Sequence, residues 1–191
     1  MIGEGIGMLD RALVAHASPT LARLKLGSLF TFSMGEGFQS EYSSLRAQLS
    51  EKGVTLTVLR RRKGIALLYL YREDMLARAL ERADVWAFLK TCGYVARDVD
   101  GVLATLRDRL EASACFPHEI GVFLGYPLED VIGFIENEGR NCLCYGCWKV
   151  YANECDALRA FACFRKCKTV YERLFASGCP LTRLTVAARP A

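Results

Sequence analysis

Two apolar stretches separated by a four-residue turn constrain the fold more than any other feature of the sequence. Residues 54–60 and 65–71 are rich in β-branched, aromatic and aliphatic side chains, which is typical of β-strands. Between them lie residues 61–64, where Gly64 can adopt the positive φ of a tight turn. The pattern predicts a β-hairpin, and the fold must therefore contain a sheet.

The rest of the sequence contains further short strands and helices, which are segregated in places. Strands are predicted at residues 29–34, 145–151 and 181–187. Helices are predicted at residues 9–17, 41–52, 73–82, 84–91, 99–112, 117–125, 127–139 and 154–176. We therefore expect an α+β fold in which about five short strands form a mainly antiparallel or mixed sheet covered by helices. A length of 191 residues suits a single domain, residues 1–191.

Composition excludes several classes of protein and suggests a compartment. The chain is 52% hydrophobic and 24% charged, which is typical of a globular rather than a disordered protein. No apolar run approaches the roughly 18 residues that a membrane span needs. Glu4, Asp10 and Arg11 interrupt the place where a secretory signal would have its apolar core. With an odd number of cysteines, nine, we expect a cytoplasmic protein with reduced thiols.

Cysteines are concentrated near the carboxyl end, where seven of the nine fall between Cys142 and Cys179. Cys142, Cys144 and Cys147 are the tightest group, next to two glycines that would let a loop converge on one ion. Zinc and iron–sulfur centres usually take four ligands, so Cys155, Cys179 or a histidine would have to supply the fourth. Haem is a further possibility, suggested only by the dipeptide that starts at Cys179. A reactive thiol or simple packing explains the same residues without a metal.

Two more cysteines fall on the apolar stripe of the long predicted helix, residues 154–176. Ala160, Cys163, Cys167 and Val170 recur with the three- and four-residue steps of one helix face. Cysteine behaves as a small hydrophobic residue in such a position. We therefore expect Cys163 and Cys167 to pack in the core.

Residues 120–135 have the spacing of a helix-turn-helix, with Gly121 at the crossing and Gly125 in the turn. If the second helix entered a DNA groove, its carboxylates would be repelled by the DNA phosphates, which opposes DNA binding. These carboxylates are Glu129, Asp130 and Glu136. The sequence therefore argues against a nucleic-acid partner. The pattern indicates a structural hairpin, with a regulatory or protein-interaction module as the alternative.

Few residues can carry acid–base chemistry, because the chain has two histidines, His16 and His118. His118 and Glu119 follow a proline at the start of a helix and are the candidate acid–base pair. His16 precedes a second proline, where a loop entering a helix could bind an anion through its backbone N–H groups. Lys149 and Tyr151 alternate on one predicted strand and could line a pocket.

Three motifs together resemble an uncharacterised bacterial family. They are His-Ala-Ser-Pro-Thr-Leu at 16–21, Phe-Pro-His-Glu-Ile-Gly-Val-Phe-Leu-Gly-Tyr-Pro at 116–127, and Gly-Cys-Trp-Lys-Val-Tyr at 146–151. The family is a domain of unknown function found mostly in anaerobic Gram-positive bacteria, and the resemblance covers nearly the whole chain. It implies a reducing cytoplasm, in which oxygen-sensitive iron or thiol chemistry is plausible, and it implies no particular activity.

The leading hypothesis is a protein that binds a small ligand or a metal-containing cofactor. We expect the helix pair after Pro117 and the tryptophan-bearing segment to border a common cleft. Its expected lining is His118, Glu119, Tyr126, Trp148, Lys149 and Tyr151, with His16 as a further ligand-binding candidate and Cys142, Cys144 and Cys147 as possible metal ligands. The alternative is an enzyme that uses His118 or Glu119 as base, with a possible thiol nucleophile. Neither the oligomeric state nor the ligand follows from the sequence.

Overall fold

The structure is a computed structural model that describes residues 7–112 and 116–188. The helices in this part are α1 (Met8–Leu21), α2 (Phe38–Ser50), α3 (Glu73–Glu81), α4 (Ala83–Thr91), α5 (Val99–Ala112), α6 (Ile120–Phe123), α7 (Leu128–Glu136), α8 (Glu154–Ala176) and α9 (Leu181–Leu184). The strands are β1 (Gly27–Ser33), β2 (Val54–Arg62), β3 (Ile65–Arg72), β4 (Cys144–Tyr145) and β5 (Lys149–Val150). None of the described helices has the length and apolar character needed to cross a bilayer.

The expected α+β class is confirmed, but the strands form two sheets rather than one. β1, β3 and β2 make an antiparallel three-stranded sheet in that order, and β4 and β5 make an antiparallel pair. The hairpin at residues 54–71 is confirmed as β2 and β3. Contacts group the described residues into two compact units, which we call the first unit (7–72 with 167–188) and the second unit (73–112 with 116–166). The expectation of one domain stays a prediction.

The first unit is built on the three-stranded sheet, against which α1 and α2 pack, and α9 contacts α1. Its core joins leucines of α1 and α2 to alternate residues of β3, such as Ala66, Leu68 and Leu70. Successive side chains of a strand point to opposite faces of the sheet, so these alternate residues of β3 share the face that packs in the core. Arg72, at the end of β3, is fully buried.

The second unit contains α3 to α7, the β4–β5 pair and the first part of α8. Its small cluster around the pair consists of Val150, Ala157 and Phe161, with Cys144 and Trp148 packed against it. Thus β5 lies on the first turns of α8. This cluster supports one wall of the candidate site described below.

Three local predictions are wrong for identifiable reasons. Residues 145–151 do not form one strand, because the chain turns between β4 and β5, with a hydrogen bond of 3.0 Å from Gly146 N to Trp148 O. Residues 181–187 are not a strand, since Pro180 starts the short helix α9 instead. A helix does not begin near residue 18, because α1 continues through Pro19 to Leu21.

The apolar stripe predicted for α8 is rotated relative to the real one. The buried residues of this helix are Ala157, Phe161, Cys167 and Phe175. Cys163 is exposed, so its predicted packing role is wrong, whereas that of Cys167 is confirmed. The larger phenylalanine side chains define the buried face, and Cys163 lies two residues from Phe161, on another side of the helix.

Candidate ligand-binding site

A tight helical hairpin forms one wall of the site. Gly125 ends α6 with a φ of 74°, and Pro127 follows as the residue that caps α7. The helices approach closely at Gly121, where an added Cβ would lie 2.7 Å from Cγ2 of Val131. Such a distance leaves no room for a side chain, so glycine permits the packing that the sequence predicted.

Asp130 connects this hairpin to the segment that carries the tryptophan. The residue is 3% exposed, although the sequence suggested a solvent-facing carboxylate. Its Oδ2 accepts a hydrogen bond of 2.7 Å from the indole Nε1 of Trp148. Its Oδ1 accepts bonds of 2.7 and 3.0 Å from the backbone N–H groups of Tyr151 and Ala152. Three donors converge on the buried carboxylate and compensate for its removal from water.

Trp148 is held between aromatic neighbours. Its ring stacks on Tyr126, with ring centroids 4.9 Å apart and planes at 27°, and meets the ring of Phe161 edge-on at 4.5 Å. Tyr126 Oη donates a hydrogen bond of 3.1 Å to Cys147 O, which fixes the second ring as well. Burial, with a smaller effect of Cys147, raises the pKa of Tyr126 to about 12, so its phenol stays a donor at neutral pH.

These side chains border a cavity of about 350 Å³ within the second unit. The residues that matter for its chemistry are His118, Tyr126, Phe134, Tyr145, Trp148 and Lys149. Aromatic rings therefore make up much of its wall. Tyr145 is 81% exposed, so it lies at the solvent-facing part of this lining.

Lys149 and His118 supply polar groups at the same cavity, and both pack near the ring of Phe134. The ammonium of Lys149 lies 5.8 Å from the centroid of this ring and donates a hydrogen bond of 2.6 Å to Gly139 O. The imidazole of His118 meets the ring edge-on at 5.0 Å. Since an ammonium carries three donors, Lys149 retains capacity for a ligand after its bond to Gly139.

The structure brings together four of the residues singled out from the sequence: His118, Tyr126, Trp148 and Lys149. Tyr151 packs on Gly133, where an added Cβ would lie 2.6 Å from Cβ of the tyrosine. Within the described residues, its buried Oη has no hydrogen-bond partner, and burial, then Cys142 and Asp130, raises the pKa of its phenol.

Two other candidates lie elsewhere. His16 belongs to the first unit, where its ring stacks on Phe30 at 5.2 Å. Since α1 runs through residues 18–20, the helix start that suggested an anion site there is absent from this described segment. Glu119 lines a second cavity of the second unit, with a volume of about 580 Å³. There it pairs with Arg109 and accepts a hydrogen bond of 3.3 Å from Tyr94 Oη.

The cysteines predicted as metal ligands do not assemble a centre. Among the described residues, no three side chains of histidine, cysteine, aspartate or glutamate are arranged to hold a metal ion, and this includes Cys142, Cys144 and Cys147. Burial, followed by the nearby carboxylate of Glu154, raises the pKa of the Cys144 thiol. A raised pKa disfavours the thiolate that binds metals. The metal hypothesis stays a prediction.

Asp130, Arg109 and Tyr94 are the functional candidates that sequence reasoning did not identify. Asp130 bonds to residues about 20 positions later. Arg109, in the last turn of α5, and Tyr94, in the segment after α4, both contact Glu119. The one local signal was an aspartate among apolar neighbours at the start of α7. That signal is also compatible with an exposed first-turn carboxylate.

The model of one protein family, described as "Protein of unknown function (DUF3793)", matches residues 13–185. The match covers most of the chain and confirms the expected resemblance to an uncharacterised family. No curated protein and no solved structure matches the chain.

Proposed function

We propose that this chain, which belongs to the DUF3793 family, binds a small organic acid with a flat ring in the cavity beside Trp148. The observation that carries the proposal is the rigid Tyr126–Trp148 stack at the wall of a cavity that also presents Lys149. Binding pockets for small molecules are commonly lined by aromatic residues with a few placed polar groups.

The aromatic wall favours a planar ligand. Both rings of the stack are held by hydrogen bonds, from Trp148 to Asp130 and from Tyr126 to Cys147. A wall fixed in advance loses little conformational entropy when a ligand packs on it. Offset stacking on tryptophan and tyrosine is worth about 0.5–1.5 kcal/mol beyond the area buried.

The charges around the cavity favour an acidic group on the ligand. Both carboxylate oxygens of Asp130 already accept hydrogen bonds, from Trp148 and from two backbone N–H groups. Lys149 is exposed and keeps donors available, so it is the charged group that a ligand can reach. An ammonium recognises a carboxylate or sulfonate as a point charge.

Two alternatives receive less support from the geometry. For an enzyme, Glu119 is poorly placed to act as base, because its Oε1 already accepts hydrogen bonds from Arg109 and Tyr94, so His118 would have to act alone. A metal ion held by several side chains would need converging donors, which the described residues do not provide. We propose a cytoplasmic location, because a chain with an odd number of cysteines, nine, is expected to keep its thiols reduced.

The test uses two fluorescent probes that differ in one group. Anilinonaphthalene sulfonate is an aromatic anion, and N-phenyl-naphthylamine is the same ring system without the sulfonate. We expect the anion to bind with a measurable dissociation constant that Lys149→Met weakens about fivefold, as for one partly exposed charge pair. The neutral probe should bind the wild type and Lys149→Met equally.

The control variant is Lys90→Met, which removes an exposed lysine of the same unit on α4. It should leave the affinity of both probes unchanged. If Lys149→Met does not affect the anion, or weakens both probes alike, the acidic group does not pair with Lys149 and the proposed ligand class is wrong.

A further inference from the structure

We propose that the second cavity is a separate site for a short aliphatic carboxylate, with Arg109 as the residue that binds it. The proposal does not depend on the function proposed for the first cavity. Arg109, Glu119, Cys92 and His118 all line this space of about 580 Å³.

The guanidinium of Arg109 is fixed in place. Its Nε donates to Oε1 of Glu119, whose side chain is 4% exposed, and the ring of Tyr94 lies 6.0 Å from the Arg109 Cζ. Tyr94 Oη donates to the same carboxylate oxygen at 3.3 Å. The buried carboxylate and the tyrosine thus hold one edge of the arginine.

The pair of Arg109 and Glu119 is better explained as a means of orienting the arginine than as a contribution to the stability of the fold. A pair with one buried member contributes little net stability, because the loss of hydration offsets the attraction. Glu119 accepts from Nε, one of the five N–H groups of a guanidinium, and the Arg109 side chain remains 40% exposed. Arginine recognises carboxylates through paired N–H groups on one planar edge. A held arginine loses less entropy when it binds an anion.

The surrounding charges tolerate an anion. Of the described residues that line the cavity, Glu119 is the one carboxylate, and its charge is paired with Arg109. Burial, followed by Glu119, raises the pKa of the Cys92 thiol, which therefore adds no negative charge at neutral pH. Arg109 has a raised pKa, first through its hydrogen bond to Glu119, and stays a cation.

The walls determine the rest of the ligand. Phe116 and Ile135 line the cavity and are 41% and 39% exposed. Pro117 and Ala112 add further apolar surface. Exposed large apolar side chains around a concave charged group suit a ligand with a hydrocarbon body and an acidic end. Among the described residues that line this cavity, no ring is stacked on a second ring as Tyr126 is on Trp148, so a short aliphatic chain fits better than a flat ring.

The experiment uses trifluorobutyrate as probe and trifluorobutyramide as its neutral counterpart, both followed by fluorine NMR. We expect the carboxylate to bind the full chain and the amide to bind at least about tenfold more weakly, the range of a charge-assisted pair. Arg109→Lys keeps the charge but loses the planar edge, and it should weaken the carboxylate about fivefold.

The double variant Arg109→Met/Glu119→Gln removes the pair without leaving a buried charge unpaired. It should lose the preference for the carboxylate over the amide, while its thermal unfolding confirms that it is folded. Equal binding of acid and amide by the wild type, or a preference that persists in the folded double variant, would overturn the proposal.

Lys149→Met separates this site from the first cavity. It should leave the affinity for trifluorobutyrate unchanged. If Lys149→Met removes the binding and the Arg109 variants do not, the carboxylate occupies the first cavity, and the second site is refuted while the proposed function stands.

Discussion

The indole Nε1 of Trp148 donates a hydrogen bond of 2.7 Å to the buried carboxylate of Asp130, 18 residues earlier in the chain. This bond joins the tryptophan to helix α7, and the two backbone bonds to the same carboxylate hold the chain after β5. The aromatic wall of the first cavity therefore depends on one acidic residue that does not need to contact a ligand. Asp130 is a positioning residue for Trp148.

Asp130→Ala should lower the free energy of unfolding by about 2–4 kcal/mol, because it leaves the indole and two backbone donors without an acceptor. Trp148 should become more mobile, and its fluorescence should shift to longer wavelength. Asp130→Asn, which retains one acceptor oxygen, should recover part of the loss. The matched control is Glu129→Ala, an exposed neighbour in the same helix turn. Urea unfolding measures the difference, and equal stability of Asp130→Ala and Glu129→Ala would contradict this role.

Arg72 has a comparable role in the first unit. Its side chain donates to the backbone oxygens of Thr20, Leu21, Lys52 and Val186, at distances between 2.6 and 3.3 Å. It thus connects the end of α1, the end of the segment after α2 and the chain after α9. These partners are up to 114 residues away in sequence.

Arg72→Met should destabilise the protein by about 3 kcal/mol or more, since several buried carbonyl groups lose their donor at once. Arg11→Met changes an exposed arginine of α1 and should cost less than about 0.5 kcal/mol. Thermal unfolding of the two variants gives the comparison. A loss for Arg72→Met as small as that for Arg11→Met would show that the four bonds do not stabilise the fold.

Gly146 is required by the close approach of the β4–β5 turn to α8. An added Cβ would lie 2.4 Å from Cδ2 of Phe161, which is itself buried. Gly146→Ala should therefore destabilise the protein by about 1–3 kcal/mol and displace the ring that meets Trp148 edge-on. Gly35→Ala is the control, because its added methyl group has no neighbour within 4 Å. Similar unfolding midpoints for both variants would argue against the tight packing.

The cysteines should differ in reactivity according to burial. Brief alkylation of the native protein by iodoacetamide, followed by mass spectrometry, should label the exposed Cys147, Cys155 and Cys163 and spare Cys167. Cys144, whose pKa is raised by burial, has less thiolate at a given pH, so its labelling should require more alkaline conditions than a free cysteine. Rapid labelling of Cys167 would contradict its position in the helix face that packs on the core.

Local patterns predicted the elements, and long-range contacts decided the site. The helices at residues 99–112 and 154–176 match α5 and α8 because capping and periodicity are encoded within each segment. The burial of Asp130 could not be predicted, since its donors come from another segment of the chain. Cys163 was misplaced for a similar reason: the neighbours of a helix select its buried face among several apolar ones.

The candidate site was predicted in part. His118, Tyr126, Trp148 and Lys149 line one cavity, as expected. The expectation was that the helix pair after Pro117 and the tryptophan-bearing segment border a common cleft. Glu119 was expected in the cavity beside Trp148, but it lines the second cavity, where its carboxylate pairs with Arg109. His118 lines both cavities. The pairing of Glu119 with Arg109 depends on the position of the last turn of α5, which cannot be read from the residues next to Glu119 in the sequence.

The most direct test of the central claim is quenching of Trp148 fluorescence by anilinonaphthalene sulfonate. The chain has two tryptophans, and Trp86→Phe leaves Trp148 as the sole indole emitter. We expect saturable quenching of Trp148 in Trp86→Phe, with the same dissociation constant as the probe's own fluorescence increase. Trp148→Phe should bind the probe more weakly, because it loses the indole that stacks on Tyr126 and its hydrogen bond to Asp130. No quenching of Trp148 at probe saturation, or an unchanged affinity in Trp148→Phe, would contradict a ligand site at this cavity.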